Sequence, residues 1–234
     1  MQAVILAGGL ATRMFPRTRD VPKSLLEVAG RPFVDWQIEI LVRAGFDDVV
    51  MCIAHLGDAI RSHVGDGARL GARVRWSEEG PRLLGTAGAI RVALPLLAPT
   101  FIVTYGDSYL PFDYAGPLRV LDASSDCDGV MAVYENRGQW DSSNVVTDGE
   151  WVQRYQKGTG DPAFDHIDYG VTALRREIIG ALAPGEPCGL DAIQQGLAAR
   201  KRLRAYPARE RFYEIGSPDG LAELDRHLRS RAST

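Results

Sequence analysis

The sequence predicts an α/β fold: a doubly wound, mostly parallel, Rossmann-like sheet, followed by a mixed half that contains a β hairpin. Three observations carry this. Short apolar, β-branched runs at residues 3–7, 48–53 and 100–105 have the length and composition of buried strands. Amphipathic helical patterns separate them, the alternation from which parallel sheets are built. After about residue 129 the pattern shifts to paired strands around a turn signal, Asp148-Gly149.

Taken in order, the first strand stops at Gly8-Gly9. Arg31-Pro32 opens a helical pattern carried by Phe33, Trp36, Ile40 and Leu41, with Gly45 as its stop. Residues 48–53 (DVVMCI) are the second buried strand. Residues 56–64 read as a helix closed by Gly65-Asp66-Gly67. A short strand at 72–76 and a helix at 85–97, with Thr86 as candidate N-cap, lead to the third core strand, which stops at Gly106-Asp107. In the second half, 129–134 reads as a strand, 143–147 and 151–156 as a hairpin, and 166–174 as a further strand. Residues 175–182 and 190–199 read as helices, and 203–206 and 211–215 as short strands. A closing helix at 218–229 starts with Pro218 behind Ser217 as its cap. No repeat, low-complexity tract or long Pro/Gly/Ser linker divides the chain. The expectation is one domain over residues 1–234, nucleotide-binding to about residue 110 and acceptor-binding over 111–234.

A chain of 234 residues with 45% hydrophobic and 24% charged residues suits one large soluble α/β domain. A net charge of −3 argues against an extended nucleic-acid surface, which needs a basic face. No apolar run is long enough for a transmembrane helix, and the N-terminus enters a strand without the pattern of a signal peptide. Cys52, Cys127 and Cys188 lie far apart with no C-x-x-C spacing; Cys52 reads as core. His55, His63, His166 and His227 have no metal spacing, and no Ser-His-Asp arrangement can be argued. The expected setting is cytoplasmic, with no nucleic-acid or membrane partner.

The chemistry concentrates at strand ends. Gly8-Gly9 lets backbone N–H groups approach an anion, because no Cβ intervenes. Arg13 adds a planar fork and Lys23 a point charge, both suited to phosphate. Together they read as a polyphosphate cradle at the C-terminal end of the first strand. A tight turn with two solvated cations is the competing reading. Leu84-Gly85-Thr86-Ala87-Gly88-Ala89 places small residues at a helix start, where free N–H groups can face a flat ligand; close helix–strand packing is the alternative. Glu78 and Glu79 precede this segment and read either as contacts to a base edge or as solvated acids. Asp107 sits at the rim where ligands bind in α/β sheets, and a plain turn aspartate competes with that. Lys157, in Tyr155-Gln156-Lys157-Gly158, is by itself a surface lysine in a hairpin as readily as a phosphate ligand.

The string Leu6-Ala7-Gly8-Gly9-Leu10-Ala11-Thr12-Arg13, with Pro22-Lys23, resembles the L-A-x-G-x-G-T-R…P-K signature of the sugar-phosphate nucleotidyltransferases. Ala11 stands where that family usually has Gly. Leu84-Gly85-Thr86-Ala87-Gly88 is similar to the family's L-G-T-A-G segment, which abuts base and ribose. Gly106-Asp107 stands at its G-D, whose Asp holds Mg²⁺. Phe212-Tyr213-Glu214-Ile215-Gly216-Ser217-Pro218 resembles W-x-D-[IV]-G-T-P, whose carboxylate is the second metal ligand. Here the acid is Glu214, whose longer arm still reaches a hard cation. Lys157 stands at the family's E-K-P, with Gln156 in place of Glu. Asp168-Tyr169-Gly170-Val171 stands at N-x-G-[IV], and Ser143-Asn144 at Tyr-Gly. The resemblance spans residues 3–220.

It implies an enzyme that joins a sugar 1-phosphate to a nucleoside triphosphate and releases pyrophosphate. The catalytic residues it implies are Arg13, Lys23 and Asp107. The nucleotide would be bound by Leu6, Ala7, Gly8, Gly9, Thr12, Arg13, Lys23, Glu79, Gly85, Thr86, Gly88 and Asp107. The sugar phosphate would be bound by Asn144, Lys157, Asp168, Tyr169 and Gly170, and Mg²⁺ by Asp107 and Glu214. The partners implied are small molecules, with homo-oligomerisation left open, and the C-terminal β-helix of some relatives is expected to be lacking. Compactness and the L-G-T-A-G segment resemble D-glycero-D-manno-heptose 1-phosphate guanylyltransferases, which make GDP-heptose for surface polysaccharide, and this is the favoured substrate reading. His55-Leu56-Gly57 and Gly65-Asp66-Gly67 also resemble the muramic-acid 1-phosphate uridylyltransferases. Two other classes stay open. A nucleotide-sugar glycosyltransferase would carry D-x-D, but Asp107-Ser108-Tyr109 lacks the second acid. A non-catalytic nucleotide sensor would be favoured by loss of Arg13, Lys23 or Asp107, and all three are present.

Overall fold

A computed structural model of the protein describes residues 1–9, 14–80 and 82–232. The first half forms β1 (Gln2–Leu6), β2 (Glu27–Val28), β3 (Arg31–Pro32), α1 (Phe33–Arg43), β4 (Asp48–Ile53) and α2 (Gly57–Val64). It continues through β5 (Arg73–Glu78), α3 (Gly85–Val92), β6 (Thr100–Tyr105), β7 (Ser108–Tyr109) and α4 (Ala115–Ala123). The second half forms β8 (Gly129–Glu135), β9 (Val145–Thr147), β10 (Val152–Tyr155), β11 (His166–Arg175) and α5 (Arg176–Gly180). After these come α6 (Leu190–Ala199), β12 (Leu203–Ala208), β13 (Tyr213–Glu214) and α7 (Pro218–Ala232).

A nine-stranded sheet runs in the order β10-β9-β11-β6-β1-β4-β5, with β8 and β12 extending from β11. β1 is parallel to both β4 and β6, and β4 to β5. β11 is antiparallel to β6 and β8, and β9–β10 is the expected hairpin. The sheet is therefore parallel in the first half and mixed in the second, as the sequence predicts. The near-continuous apolar runs follow from burial on both faces. Ala3 and Ile5 pack with Val34, Ile38 and Leu41 of α1. Val4, Val50 and Val103 pack with Ala89 and Ile90 of α3 on the opposite face. Each such Val, Ile or Leu side chain contributes ~1.5–3 kcal/mol on burial. A smaller cluster of Met14, Phe33, Ile215 and Leu224 binds α7 to the first half.

β11 carries an irregularity that shapes the second half. Asp168 pairs with Val133 and Thr172 with Met131, so Tyr169, Gly170 and Val171 stand opposite Ala132. Gly170 takes φ +95°, which a side chain would strain, and its N–H donates to Asp168 Oδ1 at 3.0 Å.

Several boundaries differ from expectation for local reasons. Arg31-Pro32 forms β3, and α1 starts at Phe33, because Pro32 is extended at ψ 138°. The helix expected over 85–97 ends at Val92, and Pro95, without an N–H, falls in a separate 3₁₀ turn at Leu94–Leu96. Thr86 does not cap α3; Leu84 holds that position without a side-chain bond. Ser217 does cap α7, accepting from the Gly220 N–H at 3.1 Å. Among the described residues, no helix is long and apolar enough to cross a membrane.

Candidate nucleotide and phosphate cleft

A cleft of about 260 Å³ opens at the C-terminal ends of β1, β4 and β6. Of the predicted nucleotide contacts, Leu6, Ala7, Gly8, Gly9, Lys23, Glu79, Gly85, Thr86 and Asp107 line it. Thr12 and Arg13 lie outside the described residues. The β1–β6 register sets Leu6 beside Tyr105, so Gly8-Gly9 and the turn at Gly106-Asp107 follow side-by-side strand ends. Gly106 packs on the end of β1: its N–H donates to Leu6 C=O at 2.9 Å, and a Cβ at 106 would lie 2.8 Å from that oxygen. Cys52 also lines the cleft as an uncharged wall, because burial pushes its thiol up to about 12.

Lys23 opens a one-turn 3₁₀ segment after the extended Pro22. Its Nζ donates to Asp107 Oδ2 at 2.5 Å. The turn bearing Asp107 is fastened from two sides. Ile215 N–H donates to the Asp107 carbonyl at 2.9 Å, and Glu214 pairs with Ser108 across β13–β7. From α1, Gln37 Nε2 donates to the carbonyls of Tyr105 at 2.7 Å and Ser108 at 3.1 Å. Gln37 is fully buried. No motif marks Gln37, although an amide on the apolar face of a helix is a readable signal. Asp107 and Glu214 thus sit on adjacent strand ends. Asp107 lines the cleft, while the exposed Glu214 lines a neighbouring groove with Trp140 and Arg211. Among the described residues, no group of three or more His, Cys, Asp or Glu side chains is gathered to hold a metal.

The Leu84–Gly88 segment departs from the expectation of free N–H groups. Ala87 and Gly88 both donate to the Cys188 carbonyl, at 3.0 and 3.1 Å, and Cys188 N–H donates back to Leu84 C=O at 2.8 Å. Leu190 N–H donates to Thr86 Oγ1 at 2.7 Å. The segment is therefore a joint to the start of α6, and Gly88 faces residues 186–188 instead of the cleft. Glu79, nearly buried, accepts from Leu84 N–H at 2.7 Å and closes the loop along the cleft wall. Glu78 turns outward to Arg61.

On the acceptor side, Asn144 Oδ1 accepts from Asp168 N–H at 2.8 Å. Asp168 accepts from Gly170 N–H, and from the Tyr155 hydroxyl at 3.1 Å. Burial holds the Asp168 carboxyl above its ordinary value, against the pull of the Gly170 N–H and the Lys157 ammonium. Tyr169 is not brought to the cleft: its ring lies in an aromatic core with Phe112, Tyr134 and Phe212. Lys157, exposed, places Nζ 5.5 Å from the ring centroid of Tyr105, and Tyr105 lines the cleft. The hairpin lysine of the second half thus lies beside a residue that shares the cleft with Asp107.

Residues 2–145 match the family model described as nucleotidyl transferase. The chain belongs to that family. Among its members, the chain is similar to the N-acetylmuramate alpha-1-phosphate uridylyltransferase of Neisseria meningitidis, 43% identical over 124 residues. That match takes in 53% of the chain and 54% of the relative, so it spans about half the relative's length. The enzyme of the same name from Caulobacter vibrioides is 29% identical over 97% of the chain and 96% of its own length. The crystal structure of HddC from Yersinia pseudotuberculosis, complexed with GMP-PN, superposes with a TM-score of 0.77 at 25% identity, covering 97% of this nucleotidyl transferase and 99% of that chain.

Proposed function

We propose that the protein joins a nucleoside triphosphate to a sugar 1-phosphate, forming a nucleotide sugar and pyrophosphate. The observation that supports this reading is the gathering of Gly8, Gly9, Lys23 and Asp107 around one cleft, with Lys157 of the second half beside Tyr105, a residue of the same cleft. A sugar-phosphate oxygen attacks the α-phosphorus in line with the departing pyrophosphate. Both reactants are anions, so positioning by cations supplies most of the catalysis. Arg13 takes the triphosphate and leaving pyrophosphate, Lys23 the α-phosphate, and Lys157 the sugar phosphate. Asp168 and Asn144, tied together by the bond from Asp168 N–H, face the sugar. The acceptor phosphate is ionised near neutral pH, so no general base is required.

We propose Mg²⁺ as the metal, with Asp107 and Glu214 as the residues that would hold it. A pair of hard oxygen donors, Asp107 and Glu214, stands on adjacent strand ends, and Mg²⁺ takes one or two carboxylates with waters and phosphates completing its shell. Bound there, it would neutralise phosphate charge.

For the substrate pair we propose UTP and N-acetylmuramate 1-phosphate, supported by the Neisseria and Caulobacter relatives. GTP with a heptose 1-phosphate is the second reading, supported by the guanine-nucleotide complex of HddC. A matrix of nucleoside triphosphates against sugar 1-phosphates with Mg²⁺, read by pyrophosphate release, tests both. The uridine pair is expected to be fastest. A faster guanosine–heptose pair replaces it, and no pyrophosphate from any pair overturns the reaction class.

A further inference from the structure

We propose that Tyr105 is the positioning residue for Lys157: its ring seats the ammonium at the cleft without neutralising it. The proposal rests on the nucleotidyltransferase reading for its kinetic consequence, but the seat itself stands on geometry.

Tyr105 ends β6, two residues before Asp107, and is one of the residues that line the cleft. Its backbone is fixed by Gln37, whose Nε2 donates to the Tyr105 carbonyl at 2.7 Å. Lys157 follows β10, in the other half of the chain, and its side chain is exposed. A lysine on a flexible four-carbon stem in such a place samples many rotamers. Among the described residues, no carboxylate lies within ion-pair distance of it, and its Nζ stands 5.5 Å from the Tyr105 ring centroid. That is within the ~6 Å over which an aromatic face attracts a cation.

The choice of partner matters for an anion-binding lysine. A carboxylate would hold the ammonium in place and cancel its charge. An aromatic face holds it without an ion pair, so that, beyond the more distant pull of Asp168, its charge stays available for a phosphate. Competing acids are close at hand, since Asp168, Asp191, Asp107 and Glu214 all act on the Tyr105 hydroxyl. The ring thus offers Lys157 a neutral seat in an acidic neighbourhood. The hydroxyl takes no part: it is buried and has no hydrogen-bond partner among the described residues. Phenylalanine should therefore serve as well as tyrosine, and an aliphatic residue should not.

Two experiments test this. First, reductive ¹³C-methylation of the lysines in the full chain gives an NMR signal for Lys157, assigned by its loss in Lys157→Met. A ring-current upfield shift is expected in wild type and Tyr105→Phe and is lost in Tyr105→Leu. An unshifted Lys157 signal in wild type overturns the proposal, whatever the protein's activity. Second, kinetics use the substrate pair that gives most pyrophosphate. Tyr105→Leu should raise KM for the sugar 1-phosphate about fivefold, with KM for the nucleotide within about twofold and Tyr105→Phe close to wild type. In a Lys157→Met background, Tyr105→Leu should add little, because the two act as one unit. Equal rises in both KM values, a Phe variant as impaired as Leu, or additive effects would overturn it. Wild-type protein inactive on every pair refutes the nucleotidyltransferase reading and leaves the NMR result to decide the seat.

Discussion

Replacing Asp107 by Asn separates what the carboxylate does for the fold from what it does for the chemistry. Its Oδ2 meets Lys23 Nζ at 2.5 Å, and the two side chains are 24% and 19% exposed. An exposed ion pair contributes ~0–1 kcal/mol, whereas removing one partner of a fully buried pair costs ~3–5 kcal/mol. This pair lies between those limits, and Asn leaves an oxygen for the ammonium to approach. The stability loss should be ~1–2 kcal/mol, a fall in Tm of roughly 2–8 °C at this chain length. Turnover should fall much further, by about a hundredfold or more, the range for losing one key electrostatic contact. Pyrophosphate release at saturating substrate and thermal unfolding are measured on the same preparation. Turnover within about tenfold of wild type in a folded variant would refute the assignment of Asp107 to the reacting phosphates.

Glu214→Gln should raise the Mg²⁺ concentration for half-maximal rate by at least about tenfold; an unchanged titration removes Glu214 from the ligand set. Thr86→Val orphans the Leu190 N–H, now bonded at 2.7 Å, and should cost ~1–2 kcal/mol in urea unfolding, with no loss showing that the joint to α6 does not depend on it. Asp168 has a carboxyl raised by burial above its ordinary 3.8, so between that pH and its folded pKa the native state keeps a proton the unfolded chain has released. Its contribution is therefore full below about 3.8 and lost as pH rises through the folded pKa. Asp168→Asn does not titrate, so its stability relative to wild type should climb across that window and then level off; a flat difference from acid to neutral pH contradicts the buried-carboxylate assignment. Ionic strength should weaken the sugar phosphate more than the nucleotide, because Lys157 is exposed while Lys23 is largely buried and less screened. Equal salt dependence of the two KM values argues against the division of labour between these lysines.

What was legible in the sequence was what depends on near neighbours. The central strands announced themselves because burial on both faces requires unbroken apolar runs, and the glycines and acid at their ends marked the rim. What was hidden depends on distant pairing. The N–H groups of Ala87 and Gly88 looked free because their acceptor, the Cys188 carbonyl, lies about a hundred residues away in sequence. Tyr169 was placed in the pocket by its position in a motif, but the bulge on β11 turns its ring into the core with Phe112 and Phe212. α4 is hidden in the sequence because Gly116 and Pro117 look like breakers; both fall in its first turn, where a missing N–H leaves no intrahelical bond unmade. Gln37 could have been found, since a helix face otherwise built of Phe33, Val34, Ile38 and Leu41 has no apolar reason to carry an amide.

The occupied start of α3 changes how the cleft must recognise phosphate. A helix N-terminus draws anions through unpaired N–H groups and the positive end of its dipole. Here the Cys188 carbonyl already takes two of those groups, so α3 offers the ligand a packed wall of small residues more than an anion seat. Under the proposed function, phosphate recognition then falls to Gly8-Gly9 and to side-chain cations. Those cations are delivered by separate parts of the chain: Lys23 from a 3₁₀ turn after Pro22, and Lys157 from the far hairpin over Tyr105. The same joint that occupies the α3 N–H groups ties the Leu84–Gly88 segment to α6, and α6 holds Gln194 beneath Asp168. A segment that reads as a nucleotide contact is therefore also what ties the cleft wall to α6 and, through Gln194, to Asp168.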